Sequence, residues 1–138
     1  MIMSDIELLA RLIQCEAGGE GVQGMQAVAS VIMNRVVQSM GEYGRYNTIP
    51  DVIYAPRQFE CAGNQRQSIG NMSPEQVHYE IAEWALNGGR LADLSDALWF
   101  YNPYSTNCRS SFPNNNGYLQ TRIGDHCFYA PTNSYFNT

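Results

Sequence analysis

ARLIQCEAGGEG, residues 10–21, puts a carboxylate where an amphipathic helix should bury an apolar side chain. Upstream, Ser4-Asp5-Ile6-Glu7 has the form of a capping box, in which the Ser4 hydroxyl and the Glu7 carboxylate satisfy backbone groups at the helix start. Leu8, Leu9, Leu12 and Ile13 follow at helical spacing and Gly18-Gly19 ends the pattern, which predicts a helix over 5–17. At 100° per residue, Glu16 falls about 20° from Leu9 and about 40° from Leu12. A solvated glutamate would lie opposite the leucines. In the last turn, desolvation and the negative end of the helix dipole both favour the neutral acid, which is the state a general acid needs. A glutamate at the edge of the stripe, its head reaching solvent past the helix end, fits the same pattern. Periodicity alone leaves both roles open.

The flanking sequence supplies the rest of the architecture. From Gly21 to about Met40 a second helix is predicted, with Val22, Met25, Val28, Ala29, Ile32, Met33 and Val36 on one side. Ala27 and Val31 lie on the other side, so this helix is expected to be buried almost all round. Asn34 shares the Ala27/Val31 side, where a polar group needs partners, and tying a loop backbone to the helix is its expected role. Residues 41–50 read as a loop, DVIY (51–54) as one helical turn, Gln58-Phe59-Glu60 as extended and 63–72 as a second polar loop. Ser73-Pro74-Glu75-Gln76 is a second capping signature, with proline at the first helical position. The helix it opens is expected to run to Asn87 and to bury Val77, Ile81 and Trp84. ALWFY (97–101), YLQTRI (118–123) and HCFYAP (126–131) read as strands, the last two around Gly124-Asp125. The Ser/Asn/Gly-rich stretch 105–117 is long enough to be a functional loop. Three helices followed by a small antiparallel sheet make an α+β domain, a single one spanning 1–138.

Bulk properties narrow the function. Eight arginines and no lysine against 13 acidic residues give a net charge of −5, and without a basic patch nucleic acid is not the expected partner. No apolar run is long enough to span a membrane, and the N-terminus has no secretory leader pattern. The four cysteines, at 15, 61, 108 and 127, form no CxxC pair, and neither His78 nor His126 has zinc-ligand spacing, so no metal is expected. In the absence of a leader the expectation is four reduced thiols, with Cys108–Cys127 the one bridge entertained. Cys15 or Cys127 with His126 would be needed for a cysteine amidase or peptidase, but no partner context supports either nucleophile.

The blocks LLARLIQCEAGGEGVQGMQAVASVIMNRV (8–36), TIPDVIYAPRQFE (48–60), ALWFYNP (97–103) and GDHCFYAPT (124–132) resemble cell wall hydrolases of the spore cortex-lytic SleB/CwlJ type. The resemblance covers roughly residues 5–132 and is nearest to the short CwlJ-like branch. It implies a lysozyme-like α+β domain that cleaves peptidoglycan glycan strands between N-acetylmuramic acid and N-acetylglucosamine during germination. The family's catalytic acid lies in an (A/C)-E-A-x-G-E-G setting, which here is Glu16. Cys15 replaces the more usual alanine, and the 105–117 loop departs in composition and length, which puts subsite preference in question. The resemblance also implies a monomer, a spore coat, cortex or cell wall location, and no cofactor. Calcium or a spore-coat protein partner stays open as a control on activity.

Two carboxylates serve most glycosidases, and Glu20, Asp51, Glu60 and Asp125 are the further acids in or near the blocks. Glu20 is expected at the cleft rim or, more simply, as a charge at the start of the second helix. Phe59 and Glu60 are expected in the cleft floor. Tyr101 can stack on a pyranose face and Asn102 can read an acetamido group, whereas His126 is expected to be structural. A single acid suffices in the lytic transglycosylase route, where the substrate supplies its own hydroxyl. Hydrolysis by water on the same scaffold, and a peptidoglycan-binding coat protein without chemistry, are the alternatives.

Overall fold

Helix α2 (Gly21–Val37) is the axis of the molecule: from Gly24 to Arg35, all but Gln26 are buried. The computed structural model describes residues 3–56, 58–63 and 68–138. Around α2 pack α1 (Asp5–Ala17) and α5 (Gln76–Leu86), with the short helices α3 (Ile49–Ile53) and α4 (Glu60–Gly63) between them in sequence. The main core is aliphatic, built from Leu9, Leu12 and Ile13 of α1, Val28, Val31 and Ile32 of α2 and Ile81 of α5. A β-hairpin of β2 (Gly117–Ile123) and β3 (His126–Pro131) adds β1 (Trp99–Tyr101) on its other edge, in the order β1-β3-β2, all antiparallel. The central strand β3 is buried from Cys127 to Ala130. Its inner side meets a second, aromatic core of Tyr43, Trp99, Tyr129 and Tyr135. The α+β expectation holds. No helix among the described residues is long and apolar enough to cross a membrane.

Local chemistry explains where the elements begin. The Ser4 hydroxyl accepts the Glu7 N–H at 3.3 Å, but Glu7 does not reciprocate; its carboxylate takes Arg11 at 2.8 and 3.0 Å. An arginine one turn on competes successfully with the half-formed cap. Thr48 caps α3 through Asp51 N–H at 3.1 Å. Gly21, at φ +77°, lets the chain reverse between α1 and α2 without strain,.

Four expectations are corrected. Helix α2 stops at Val37 rather than near Met40, because Gln38 turns extended. Gln58-Phe59-Glu60 does not run extended throughout: Glu60 opens α4. Helix α5 starts at Gln76, beyond Pro74, because the His78 ring supplies the cap: its Nδ1 accepts the Glu75 N–H at 2.9 Å. Of its expected apolar face, Ile81 is buried while Val77 and Trp84 are only partly so. Residues 64–67 of the expected second polar loop lie outside the described residues.

Asn34 performs the expected tie. Its amide donates to Leu94 O at 2.8 Å and Ala97 O at 2.9 Å, and its Oδ1 accepts from Arg90 Nε at 2.7 Å. The connection leading to β1 is thereby fixed to α2. Replacing Asn34 with Leu leaves two buried carbonyls and a guanidinium without their partner, and is expected to cost about 1–3 kcal/mol. Urea denaturation should show the midpoint falling by the corresponding amount with an unchanged slope.

Candidate active site

Glu16 closes the last turn of α1, half-buried, and its carboxyl faces a cleft of about 610 Å³. The opposite wall comes from Gln58, Phe59 and Glu60 and from Phe100, Tyr101 and Asn102. Glu20 and the hairpin residues Asp125 and His126 close one end. All six sequence-predicted site residues, Glu16, Glu20, Phe59, Glu60, Tyr101 and Asn102, therefore border one cavity. Asp51 does not; it is exposed in the first turn of α3.

The Glu16 carboxyl is held above the usual carboxylate range, chiefly by burial and further by the charge of Glu60. A hydrogen bond with the Cys61 backbone and the charge of Arg35 pull the other way without reversing the shift. Oε2 also lies 2.7 Å from Cys61 Sγ. That sulfur is bonded to Cys15 Sγ and carries no hydrogen to donate, so the contact is not a thiol hydrogen bond.

The thiols differ most from expectation. Both Cys15–Cys61 and Cys108–Cys127 are disulfides, and among the described residues no cysteine is free. The Cys15–Cys61 bridge staples the Glu16 turn to the wall that carries Gln58 to Glu60. The second bridge anchors the 105–117 loop to β3. Spacing could not reveal the first pair, because residues 46 apart in sequence meet only through α3 and α4. With both candidate nucleophiles oxidised, the cysteine amidase alternative has no thiolate to act with.

Other residues do less, or more, than their type suggested. The Glu20 carboxylate makes no cap for α2; its Oε1 accepts the Asp125 N–H at 2.9 Å and lies 3.1 Å from His126 Nδ1, off the direction of a hydrogen bond. Glu20 thus ties the helix junction to the hairpin turn, whose Gly124 sits at φ +56° with no room for a Cβ beside that carboxylate. Burial holds the His126 imidazole below its ordinary pKa against the opposing charges of Glu20 and Asp125. Glu60 is exposed at the rim. Phe59 is a buried wall. The Tyr101 ring is already stacked on Phe112 at 4.5 Å and on Tyr129 at 5.8 Å, so it is a poor platform for a sugar. Asn102 Oδ1 accepts the Tyr104 N–H at 2.7 Å, and the residue borders the cleft.

Sequence reasoning missed three contributors. Tyr104, 90% exposed and held at φ +52° by that Asn102 contact, is the free aromatic ring at the cleft. Gln14 brings a buried Oε1 with no partner among the described residues. Arg35 is buried in the cleft floor, where it donates through Nε to Leu98 O at 2.7 Å and through Nη1 to Gln58 Oε1 at 3.0 Å. A basic residue on an otherwise apolar helix was the available signal.

A helix-rich α+β domain with a buried acid beside a polar cleft defines a lysozyme-like enzyme scaffold, and the comparisons agree. The model of the cell wall hydrolase family matches residues 19–129, and the chain belongs to that family. It is 32% identical over 129 residues to the cell wall hydrolase CwlJ of Bacillus subtilis (strain 168), covering 94% of this chain and 87% of that one. The crystal structure of the catalytic domain of the Bacillus cereus SleB protein superposes with a TM-score of 0.70 at 29% identity, over 91% of this chain and 88% of that chain. The catalytic domain of the germination-specific lytic transglycosylase SleB from Bacillus anthracis gives 0.70 at 27%, over 94% and 96%. The family match begins after Glu16, whereas the CwlJ match, at 94% of 138 residues, necessarily runs through it.

Two kinds of measurement, of the bridges and of the Glu16 proton, test the site's construction. Intact mass without reductant should be lower than the fully reduced mass by four hydrogens, two for each of the two bridges. The Cys15→Ala/Cys61→Ala variant should lose ~4 kcal/mol by the loop-entropy relation for a separation of 46 residues,. Linkage gives the second. A carboxyl whose folded pKa is raised binds its proton more tightly in the native state, so its stability contribution is complete below the unfolded pKa and is lost as pH rises through the folded one. Glu16→Gln should therefore be more stable than the parent at pH 7, and the difference should close as pH falls below 4.5, the ordinary value for this carboxyl. A gap that widens towards acid would mean the carboxylate, not the acid, is the favoured form.

Proposed function

We propose that the chain cleaves peptidoglycan glycan strands between N-acetylmuramic acid and N-acetylglucosamine, in the spore cortex during germination, by a lytic transglycosylase route with Glu16 as the acid–base. The observation that carries this is the Glu16 carboxyl, its pKa raised by burial, at a cleft large enough for a glycan. The name of the Bacillus anthracis neighbour, a germination-specific lytic transglycosylase, supports the same reaction and setting.

In this route Glu16 donates its proton to the bridging oxygen as the bond to C1 of the muramic residue breaks. The resulting carboxylate then takes the proton of that residue's C6 hydroxyl, whose oxygen closes on C1 as a 1,6-anhydro ring. The proton borrowed in the first half returns in the second, so no second carboxylate, metal or cofactor is consumed. Arg35 and the Cys61 backbone stabilise the carboxylate between the two halves, being the two influences that oppose burial. The exposed Tyr104 ring offers an apolar face for a pyranose,.

Glu16→Gln keeps shape and removes the ionisable proton, so turnover on purified cortex fragments should fall by ~10²–10⁴-fold with folding intact. Mass spectrometry of the released muropeptides should show anhydro ends, each lighter by one water than a reducing end. Reducing ends instead would assign the cleft to hydrolysis, with a water in place of the C6 hydroxyl. A Glu16→Gln protein as active as the parent would remove the glutamate from the chemistry altogether.

A further inference from the structure

Gln58 is pinned at one end and unoccupied at the other. Its Oε1 accepts from two donors on separate elements, Arg35 Nη1 at 3.0 Å and the Tyr43 hydroxyl at 2.9 Å. A guanidinium can only donate, so the amide atom facing Arg35 must be the oxygen, and the NH₂ group must point the other way. Neither donor is free to move. Arg35 is buried, with its guanidinium 4.4 Å from the centre of the Tyr43 ring and 5.0 Å from that of Phe59, and its Nε is held by Leu98 O. The Tyr43 N–H in turn donates to Tyr135 OH at 2.9 Å, and that hydroxyl donates to Met40 O at 2.8 Å. Gln58 borders the same cavity as Glu16, and among the described residues its Nε2 meets no acceptor.

We infer that Gln58 is a substrate-binding residue whose Nε2 donates to the acetamido carbonyl of a sugar next to the scissile bond. This rests on the glycan-cleaving function proposed above. The charge pattern selects the acceptor: Glu20, Glu60 and Asp125 share the cleft with Arg35, its single cation among the described residues, whose Nε and Nη1 are already engaged by Leu98 O and Gln58 Oε1, so an anionic group of the substrate is disfavoured there and a neutral carbonyl is not. Among the neutral acceptors of an N-acetylated glycan, the amide carbonyl is the strongest. An amide held rigidly by its far end loses no side-chain freedom when it binds.

Gln58→Glu separates this role from a structural one. A carboxylate still accepts from Arg35 and Tyr43, and gives the buried cation a partner, but it has no proton to donate. A structural role predicts an unchanged or higher Tm and unchanged kinetics. Substrate binding predicts the same Tm with kcat/KM on N-acetylated glycan lower by roughly 10–100-fold, the cost of a lost donor and an opposed acceptor. The loss should persist across the pH profile; if it vanishes once the profile is allowed to shift, the new charge acts only through the Glu16 pKa and the inference fails. The same glycan after chemical de-N-acetylation is the second arm. The parent should discriminate against it, and Gln58→Glu should lose or invert that preference, because an ammonium suits a carboxylate. Equal losses on both substrates would overturn the acetamido assignment. No glycan cleavage by the parent removes the proposed function and this inference together, whereas cleavage by the parent with an unaffected Gln58→Glu removes only the inference.

Discussion

A guanidinium buried in the middle of an acidic protein has to be solvated by the protein itself, and the architecture follows from how Arg35 is solvated. Among the described residues no carboxylate forms an ion pair with it. Its hydrogen bonds go to the carbonyl of Leu98 and the amide oxygen of Gln58, and its faces to Tyr43 and Phe59. These four partners come from the segment before β1, the Gln58–Glu60 wall and the turn after α2. One side chain on the central helix thus gathers the aromatic core, the strand that carries Tyr101 and Asn102, and the wall opposite Glu16. Cation–π contacts in a desolvated setting are worth about 2 kcal/mol each, enough to offset part of the desolvation cost. An ion-paired carboxylate would neutralise the charge locally; neutral partners leave its field to act on the cleft.

In the route proposed above, that field bears on how one glutamate would serve both halves of the proton-transfer cycle. Burial and Glu60 favour the acid; Arg35 and the Cys61 backbone favour the base. These influences act in opposite directions, and a general acid–base works best when neither form is inaccessible. The Cys15–Cys61 bridge adds rigidity at the same point, since it joins the helix bearing Glu16 to the wall bearing Gln58. Glu20 performs a comparable service at the far end by fixing the hairpin turn to the α1–α2 junction.

Much of this was legible in the chain. The first helix, its end at paired glycines, the buried second helix and the hairpin around Gly124-Asp125 all followed from periodicity and turn residues. Glu16 was singled out by its position on the apolar face, its catalytic role came only from the family resemblance, and Asn34 was read from the need of a buried amide for partners. Element boundaries were less legible where a side chain from another position in the turn supplied the cap, as His78 does for α5. Residue type could not show that the Tyr101 ring stacks on Phe112 and Tyr129, and it overlooked Tyr104 three residues later.

The sequence by itself determined the local geometry and the place of Glu16 on the apolar stripe, because helical phase, capping and hydrophobic spacing are properties of short segments. Only the tertiary structure decided which cysteines pair, which amide faces the cleft and what opposes the burial of Glu16. Those depend on groups 19 to 63 residues apart meeting at bonding distance. Such meetings are fixed by how α2 organises its neighbours, and no pattern within a segment encodes them.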